Sequence, residues 1–363
     1  MATTSLLTIH PIHWLGYSPE NADFDAWLTK HRIYERPHDV EDDDAFADDY
    51  YTAKQGAENS QIERAEHLGV CLIYVQKENY ERLFGAPEAD GAFVLKELVF
   101  YARGVQGYQG YTHWPLPFNL QFGMQSQQVR RVLGEHCGRR FLHDSYCERF
   151  VAASKFIVNV TYIDDIVNII HVRTAHIYDQ KSLPVQGYKN VALPTPKFQI
   201  AQLLPFLGGD AMDASLDEFT RKLGWSSKDV DLSDWHESME LIEPAGLALY
   251  YRQAKEIRKF VPQGKLATLP QTVFVGFRVN RCGDMDSEGY SGAMPYDLEF
   301  YDSPSKIIEK IGQKPLKESL AEDTGYYMWS LKEGVIHAMF SLIDLQLYRL
   351  TIYAPFMAHE LKI

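Results

Sequence analysis

Four cysteines in 363 residues, with no Cys-x-x-Cys pair among them, are too few for a disulfide framework. Cys71, Cys137, Cys147 and Cys282 are therefore expected as free thiols in a reducing compartment. No stretch approaches the ~18 consecutive apolar residues that mark a membrane-spanning helix. The first ten residues lack both a basic region and a long apolar run, so no secretory signal is expected. Together these absences predict a cytoplasmic protein. Basic side chains are also scarce: 36 Lys and Arg stand against 49 Asp and Glu, a net charge of −13. Nucleic-acid binders need a basic face that neutralises phosphates, and anionic lipid needs the same, so neither partner is expected. The chain carries no GxSxG, GxxxxGK[ST], GxGxxG or HExxH pattern. No catalytic residue, metal or other cofactor is read from it.

What is present is an ordinary globular composition, 45% hydrophobic and 23% charged, at a length of about two domains. The sequence also repeats. Leu116–Gly134 aligns without a gap on Met294–Gly312 at an offset of 178, with identities at Pro117/Pro295, Leu120/Leu298, Phe122/Phe300 and Gly134/Gly312. Glu66–Tyr74 matches Glu243–Tyr251 at nearly the same spacing, and Phe24–Lys30 resembles Leu216–Lys222. The matches run in the same order in both halves, which points to an internal duplication.

Each half divides into two units, a short helix and then antiparallel strands. Ser303, Pro304 and Gly312 mark the ends of a helix over 304–311, whose apolar stripe is Ile307, Ile308 and Ile311. Val129, Val132 and Leu133 predict the same stripe before Gly134. Ser215 and Glu218, at capping-box spacing, predict a helix over 216–223. The expected strands are 70–75, 93–101, 156–162 and 166–172 in the first half, and 247–251, 272–279, 335–340 and 347–353 in the second. This predicts an α+β fold of tandemly duplicated units, with helices on one face of antiparallel sheets. Residues 1–180 hold the first pair of units (about 13–110 and 116–178). A Pro- and Gly-rich linker follows over 181–214, and 215–363 hold the second pair (about 215–290 and 294–354).

Several clusters invite a chemical reading, and each has a plainer one. His10 and His13 could ligate a metal, but no second cluster accompanies them. Asp284, Asp286, Glu288 and Gly289 match the first half of a calcium loop, but Pro295 stands where a bidentate Glu is needed. Asp164-Asp165 reads as a hairpin tip before it reads as an acid/base pair. Cys137 and Cys147 read as small packing residues. The most unusual segment is acidic: seven of the residues from Asp39 to Asp49 are carboxylates, absent from the second half. Residues 1–50 carry 11 acids against 3 bases, whereas residues 101–200 carry 11 bases against 6 acids. The acidic insertion is either a solvated loop or a docking element. Asp39, Glu41, Asp42, Asp43, Asp44, Asp48 and Asp49 would steer a basic partner, and Phe46, Tyr50 and Tyr51 would anchor it. A second candidate is the Gly-rich connection at 104–114, with Tyr108, Tyr111 and Trp114 either in recognition or covering a sheet edge.

The repeat motif, Leu116-Pro-Phe-x-Leu-x-Phe-Gly-Met124 followed by a short helix ending at Gly134, resembles bacterial immunity proteins encoded beside secreted antibacterial toxins. It also resembles the helix-then-strands module of β-lactamase-inhibitor-protein-like folds. The resemblance covers 116–172 well. In the last unit, 294–353, Tyr301-Asp302 replaces the Gly-Met. It implies a non-catalytic, cofactor-free protein that binds and occludes a cognate toxin domain, and the acidity suggests that the toxin is basic. No interface residue carries over from the resemblance. Two other readings stay open: a hydrolase that reverses toxin damage, and a scaffold without a toxin.

Overall fold

The computed structural model describes residues 9–38, 60–141, 144–185, 195–230, 237–320 except 283, 285 and 286, and 324–363 except 343. Within 140–141, 182, 237–238 and 265 only the backbone is described. Contacts divide the chain into two units, Met1–Ala192 and Leu193–Ile363.

In the first unit, α1 (Ala22–Lys30) leads to β1 (Ser60–Ala65), β2 (Val70–Gln76), α2 (Lys77–Phe84) and β3 (Phe93–Tyr101). Then α3 (Ser126–Leu133) leads to β4 (Gly138–Phe141), β5 (Ser145–Ala152), β6 (Phe156–Ile163), β7 (Ile166–Thr174) and α4 (Ile177–Ser182). The strands form one seven-stranded antiparallel sheet in the order β1-β2-β3-β7-β6-β5-β4. The second unit repeats this plan. Its elements are α5 (Ala214–Lys222), β8 (Glu237–Ile242), β9 (Leu247–Gln253), α6 (Ala254–Ile257) and β10 (Thr272–Asn280), then α7 (Pro304–Ile311), β11 (Lys317–Leu320), β12 (Thr324–Leu331), β13 (Gly334–Ser341), β14 (Gln346–Tyr353) and α8 (Met357–Leu361). The order of its sheet, β11-β12-β13-β14-β10-β9-β8, is the same arrangement. The fold is α+β with duplicated antiparallel sheets.

The duplication extends to backbone detail. Phe118 and Asn119 are both left-handed (φ 58° and 59°), and so are Tyr296 and Asp297 (60° and 54°), after the matched prolines. Non-glycine residues rarely take that conformation, and two in succession at corresponding places mark a shared turn. Gly69 and Gly246 make the same argument. A Cβ on Gly69 would lie 2.2 Å from the Tyr111 backbone nitrogen, and one on Gly246 would lie 2.4 Å from that of Tyr290. In each unit, that tyrosine's amide donates to the last residue of the long central strand: Tyr111 to Tyr101, and Tyr290 to Asn280.

The long helices share one face of each sheet. Phe24, Trp27 and Leu28 of α1 and Val129 of α3 pack on Leu72, Leu98, Phe100, Val158, Val160, Ile170 and Val172. The short helices differ from expectation. Ile257 of α6 and Met357 of α8 pack with Val273, Tyr250 and Tyr353, on the opposite face. All nine residues of β3 are buried, because both of its faces are covered.

Three sequence expectations need correction. α5 begins earlier than expected: Asp213, not Ser215, caps it, its carboxylate accepting from the Ser215 and Leu216 amides at 2.7 and 3.1 Å. Val132 is 42% exposed, so the stripe of α3 reduces to Val129, with Leu133 partly packed. Part of the expected linker is structured: Phe198, Ile200 and Leu203 are buried, and Asp210 bridges to Val273.

Candidate partner interface

The acidic candidates Asp39, Glu41, Asp42, Asp43, Asp44, Phe46, Asp48, Asp49, Tyr50 and Tyr51 lie outside the described residues. Their attachment points are described: the chain leaves at His38 and returns at Ser60, beside the edge strand β1. The His38 amide donates to Gln61 Oε1 at 2.9 Å, and Gln61 Nε2 donates back to the His38 carbonyl. Arg36 ties the same stem to α1 through Asp25 (Nε at 2.9 Å and Nη2 at 2.7 Å). Beside it, Glu63 on β1 hydrogen-bonds Glu35. Burial, and then the Glu35 charge, push the Glu63 carboxyl up to about 7. Pro19, Glu20, Arg36, Pro37, His38, Ala92 and Phe93 line a surface hollow of about 180 Å³ at this stem.

The aromatic candidates do not form a surface. Tyr108 is 1% exposed and lies flat on Tyr101, with ring centroids 3.9 Å apart. Tyr111 is 5% exposed and packs edge-on against Phe100. Trp114 is half-buried and stacks on Trp27 at 5.8 Å. These rings close the end of the sheet core, which corrects the recognition reading for Tyr108 and Tyr111. The matched Gly110-Tyr111 and Gly289-Tyr290 pairs held that signal in the sequence.

The chemical candidates are also occupied. His10 caps a 3₁₀ turn, its Nδ1 accepting from the Ile12 amide at 3.1 Å while Nε2 bonds the Pro115 carbonyl at 2.9 Å. Asp164 and Asp165 are both left-handed (φ 54° and 62°), as a two-residue hairpin turn requires. Asp165 accepts from the Tyr146 hydroxyl, and that bond, with others from Ser126, lowers its pKa. Asp284 is buried and bidentate to Arg349, at 2.6 and 2.7 Å, and Glu288 pairs with Lys197 at 3.1 Å. No disulfide joins Cys71, Cys137, Cys147 or Cys282; Cys147 is buried as a packing residue should be, whereas Cys137 is exposed, which corrects the packing reading for it. Among the described residues no three His, Cys, Asp or Glu side chains converge as a metal site.

Sequence reading missed the buried ionic clusters on the face opposite the long helices. Corresponding positions can be read across the two sheets from strand register. On the face covered by the long helices, Leu98, Val172, Val158 and Phe150 pair in sequence across the first sheet. Phe277, Ile352, Ile336 and Trp329 hold the same row in the second. Both rows are apolar. On the opposite face, Val99, His171, Asn159 and Arg149 correspond to Arg278, Thr351, His337 and Met328. Here almost every residue has changed type.

Each unit builds a separate charge network there. In the first, Asp179 of α4 accepts from Arg149 and from Arg173 Nη1 at 2.6 Å, and from the His176 amide at 2.9 Å. Burial alone would raise the Asp179 pKa, but the Arg173, His176 and Arg149 charges outweigh it and hold the carboxyl well below its usual range. Glu97 meets His171 Nδ1 at 2.7 Å; burial opposes its ionisation, and the His171 bond and charge restore it. In the second unit, burial and the Arg278, Lys317 and Arg349 charges lower the His337 pKa to about 4, so that ring stays neutral. The clue in the sequence was polar residues inside apolar runs, such as Lys96-Glu97 in β3 and Arg278 in β10. Periodicity reveals such residues without naming their partners.

No protein-family model and no curated protein sequence matches this chain. Two solved structures align with it at 8% identity and a TM-score of 0.12 each. One is a conserved protein of unknown function with a hot dog fold from Alicyclobacillus acidocaldarius, the alignment covering 76% of this chain and 96% of that one. The other is a putative thioesterase II from Thermobifida fusca YX, covering 70% and 90%. Likeness at that level carries no argument about fold or activity. Among the described residues no helix is long and apolar enough to cross a membrane.

Proposed function

We propose that this protein is an immunity-type binder that neutralises a cognate toxin domain by occluding its active site, without catalysis. One observation carries the reading. The two units keep one apolar row beneath the long helices and differ throughout the matching, largely buried row of the opposite face, as copies of a scaffold that have diverged toward different demands do. The resemblance of the 116–172 and 294–353 motifs to immunity proteins supplies the class of partner. The net charge of −13 favours a basic toxin, and the absence of a membrane-spanning helix among the described residues accords with action in the cytoplasm.

The acidic segment acts in this reading by steering. Opposite charges raise association rates by roughly 10- to 1,000-fold and lose that advantage as salt rises. The test uses the purified product of the neighbouring reading frame. Changing Asp42, Asp43, Asp44, Asp48 and Asp49 together to Asn is expected to slow association at least tenfold at low salt and to flatten the salt dependence. Unchanged kinetics would assign the segment to a solvated loop. A neighbour that is harmless when expressed alone and does not bind this chain would remove the immunity reading.

A further inference from the structure

The second sheet ends in a strand that leaves two leucines in solvent. β11 is its outermost described strand on that side, antiparallel to β12, with Lys317 opposite Met328, Glu318 opposite Tyr327 and Leu320 opposite Gly325. Side chains alternate along a strand, so Leu320, Glu318 and, one step before the strand, Leu316 share a face with Tyr327. Leu316 is 63% exposed and Leu320 is 53% exposed. Tyr327 is half-buried on the same face and packs on Phe340, with ring centroids 4.6 Å apart. Glu318 is exposed between the leucines and enters no ion pair with a described residue. Lys317 belongs to the other face, where its Nζ donates to the Leu361 carbonyl at 3.1 Å.

The first unit closes the matching edge with its own charges. By strand register, Arg139 stands where Glu318 does, and Glu148 where Tyr327 does. Arg139 Nε lies 3.2 Å from the Glu148 carboxylate, and its guanidinium covers the Tyr146 ring at 4.5 Å. Arg130 of α3 meets the same carboxylate at 3.2 Å, and its counterpart at the offset of 178 is the half-buried Ile308 of α7. The second unit thus keeps the helix and the strands but replaces an ionic rim with an apolar one. The lysines of α7 are paired nearby, Lys306 with Glu309 and Lys310 with Asp302, each at 2.7 Å. Lys314 is exposed, but it precedes Leu316 and lies outside the stretch from Leu316 to Leu320. An edge strand presents unpaired amides and carbonyls, which native sheets usually blunt with charge, bulges or a covering segment. Exposed leucines on such an edge invite a strand instead.

We propose that β11 accepts an extended strand of a partner polypeptide whose side chains on the α7 face run apolar, basic, apolar. Main-chain hydrogen bonds along the edge supply affinity, and alternate side chains supply specificity. Charge complementarity selects the occupant: the flanking apolar residues meet Leu316 and Leu320, and the basic one meets Glu318 across the new strand pair. A second copy of this chain fits worse. A two-fold axis normal to the sheet pairs residues of one face and so passes through a single residue position. At Glu318 it opposes two carboxylates. At Lys317 it opposes two lysines and sets Leu316 against Glu318, and at Ser319 it sets Glu318 against Leu320. Like charges directly opposite are destabilising, and the last register leaves the carboxylate on a leucine. The inference does not depend on the partner being a toxin, and its failure would leave that reading standing.

The test is fluorescence anisotropy of two labelled peptides with the full chain at low salt, Thr-Leu-Thr-Lys-Thr-Leu-Thr and the same peptide with Glu in place of Lys. The expected result is saturable binding of the lysine peptide and about tenfold weaker binding of the glutamate peptide. Glu318→Lys, at an exposed position, should invert that preference with an unchanged circular dichroism spectrum and Tm. Methylating alternate backbone nitrogens of the lysine peptide should abolish binding, since those amides supply the pairing. Failure of the wild type to bind the lysine peptide would overturn the proposal. So would equal binding of the two peptides, a preference untouched by Glu318→Lys, or binding that survives methylation. A dimer of the chain in sedimentation that Leu316→Lys dissolves would assign the edge to a second copy and overturn it as well.

Discussion

Glu63 and Asp179 are carboxyls under opposite pressures, and each sets a different pH dependence. The Glu63 pKa is raised to about 7 in the fold by burial and by Glu35, and returns to the ordinary carboxylate range on unfolding. The folded state therefore holds a proton that the unfolded chain releases. Stability is full below the unfolded pKa and is lost as pH rises toward 7. Glu63→Gln is expected to flatten the fall in Tm between about pH 4.5 and 7, measured against wild type; an unaltered profile would remove the carboxyl pair as its cause. Burial would raise the Asp179 pKa, but the Arg173 and Arg149 guanidiniums hold it low, so its contribution is present above the unfolded carboxylate pKa and fades under acid. Asp179→Asn leaves Arg149 and Arg173 buried without their anion, which costs about 3–5 kcal/mol. The expected readout is a loss of that size in urea unfolding at neutral pH. At Gly69 and Gly246 the backbone itself is the constraint. Alanine at either should lower Tm clearly, because its Cβ meets the backbone of Tyr111 or Tyr290.

At the scale of elements, legibility followed local chemistry. α7 was readable to the residue, because Ser303 caps it, Pro304 opens it and Gly312 closes it in a left-handed conformation. Ser303→Ala is expected to cost about 1 kcal/mol, the value of one lost cap, read in thermal unfolding. β2, β3, β6, β7, β9, β10, β13 and β14 were legible as apolar runs within the sheet interiors, whereas the interior strands β5 and β12 were not, because polar residues interrupt them, as Glu148-Arg149 does in β5. The outer strands β1, β4, β8 and β11 were not, because edge strands bury little and carry polar sequence such as Gly138-Arg-Arg-Phe141. α5 was misplaced by two residues, since Asp213 and Ser215 both make acceptable caps and only packing chooses between them. The loop at 104–114 read as a recognition surface because glycine and tyrosine also mark such surfaces. Its role in closing the core depends on contacts with Tyr101 and Phe100, which composition does not show.

For the whole molecule, the repeat seen at an offset of 178 became a shared strand order, shared left-handed turns and a shared Gly–Tyr contact. What the sequence could not show was the divergence between the copies, because register is needed to pair His171 with Thr351 or Asn159 with His337. That divergence, with the resemblance of the repeat motif to immunity proteins, is the basis for proposing that the protein is a binder. The most direct test is a titration of the cognate toxin's activity with this protein. Toxin activity should fall linearly to an end point at one protein per toxin, with no recovery of substrate already damaged. Protection at far lower ratios, or repair of damaged substrate, would contradict it and establish an enzyme in its place.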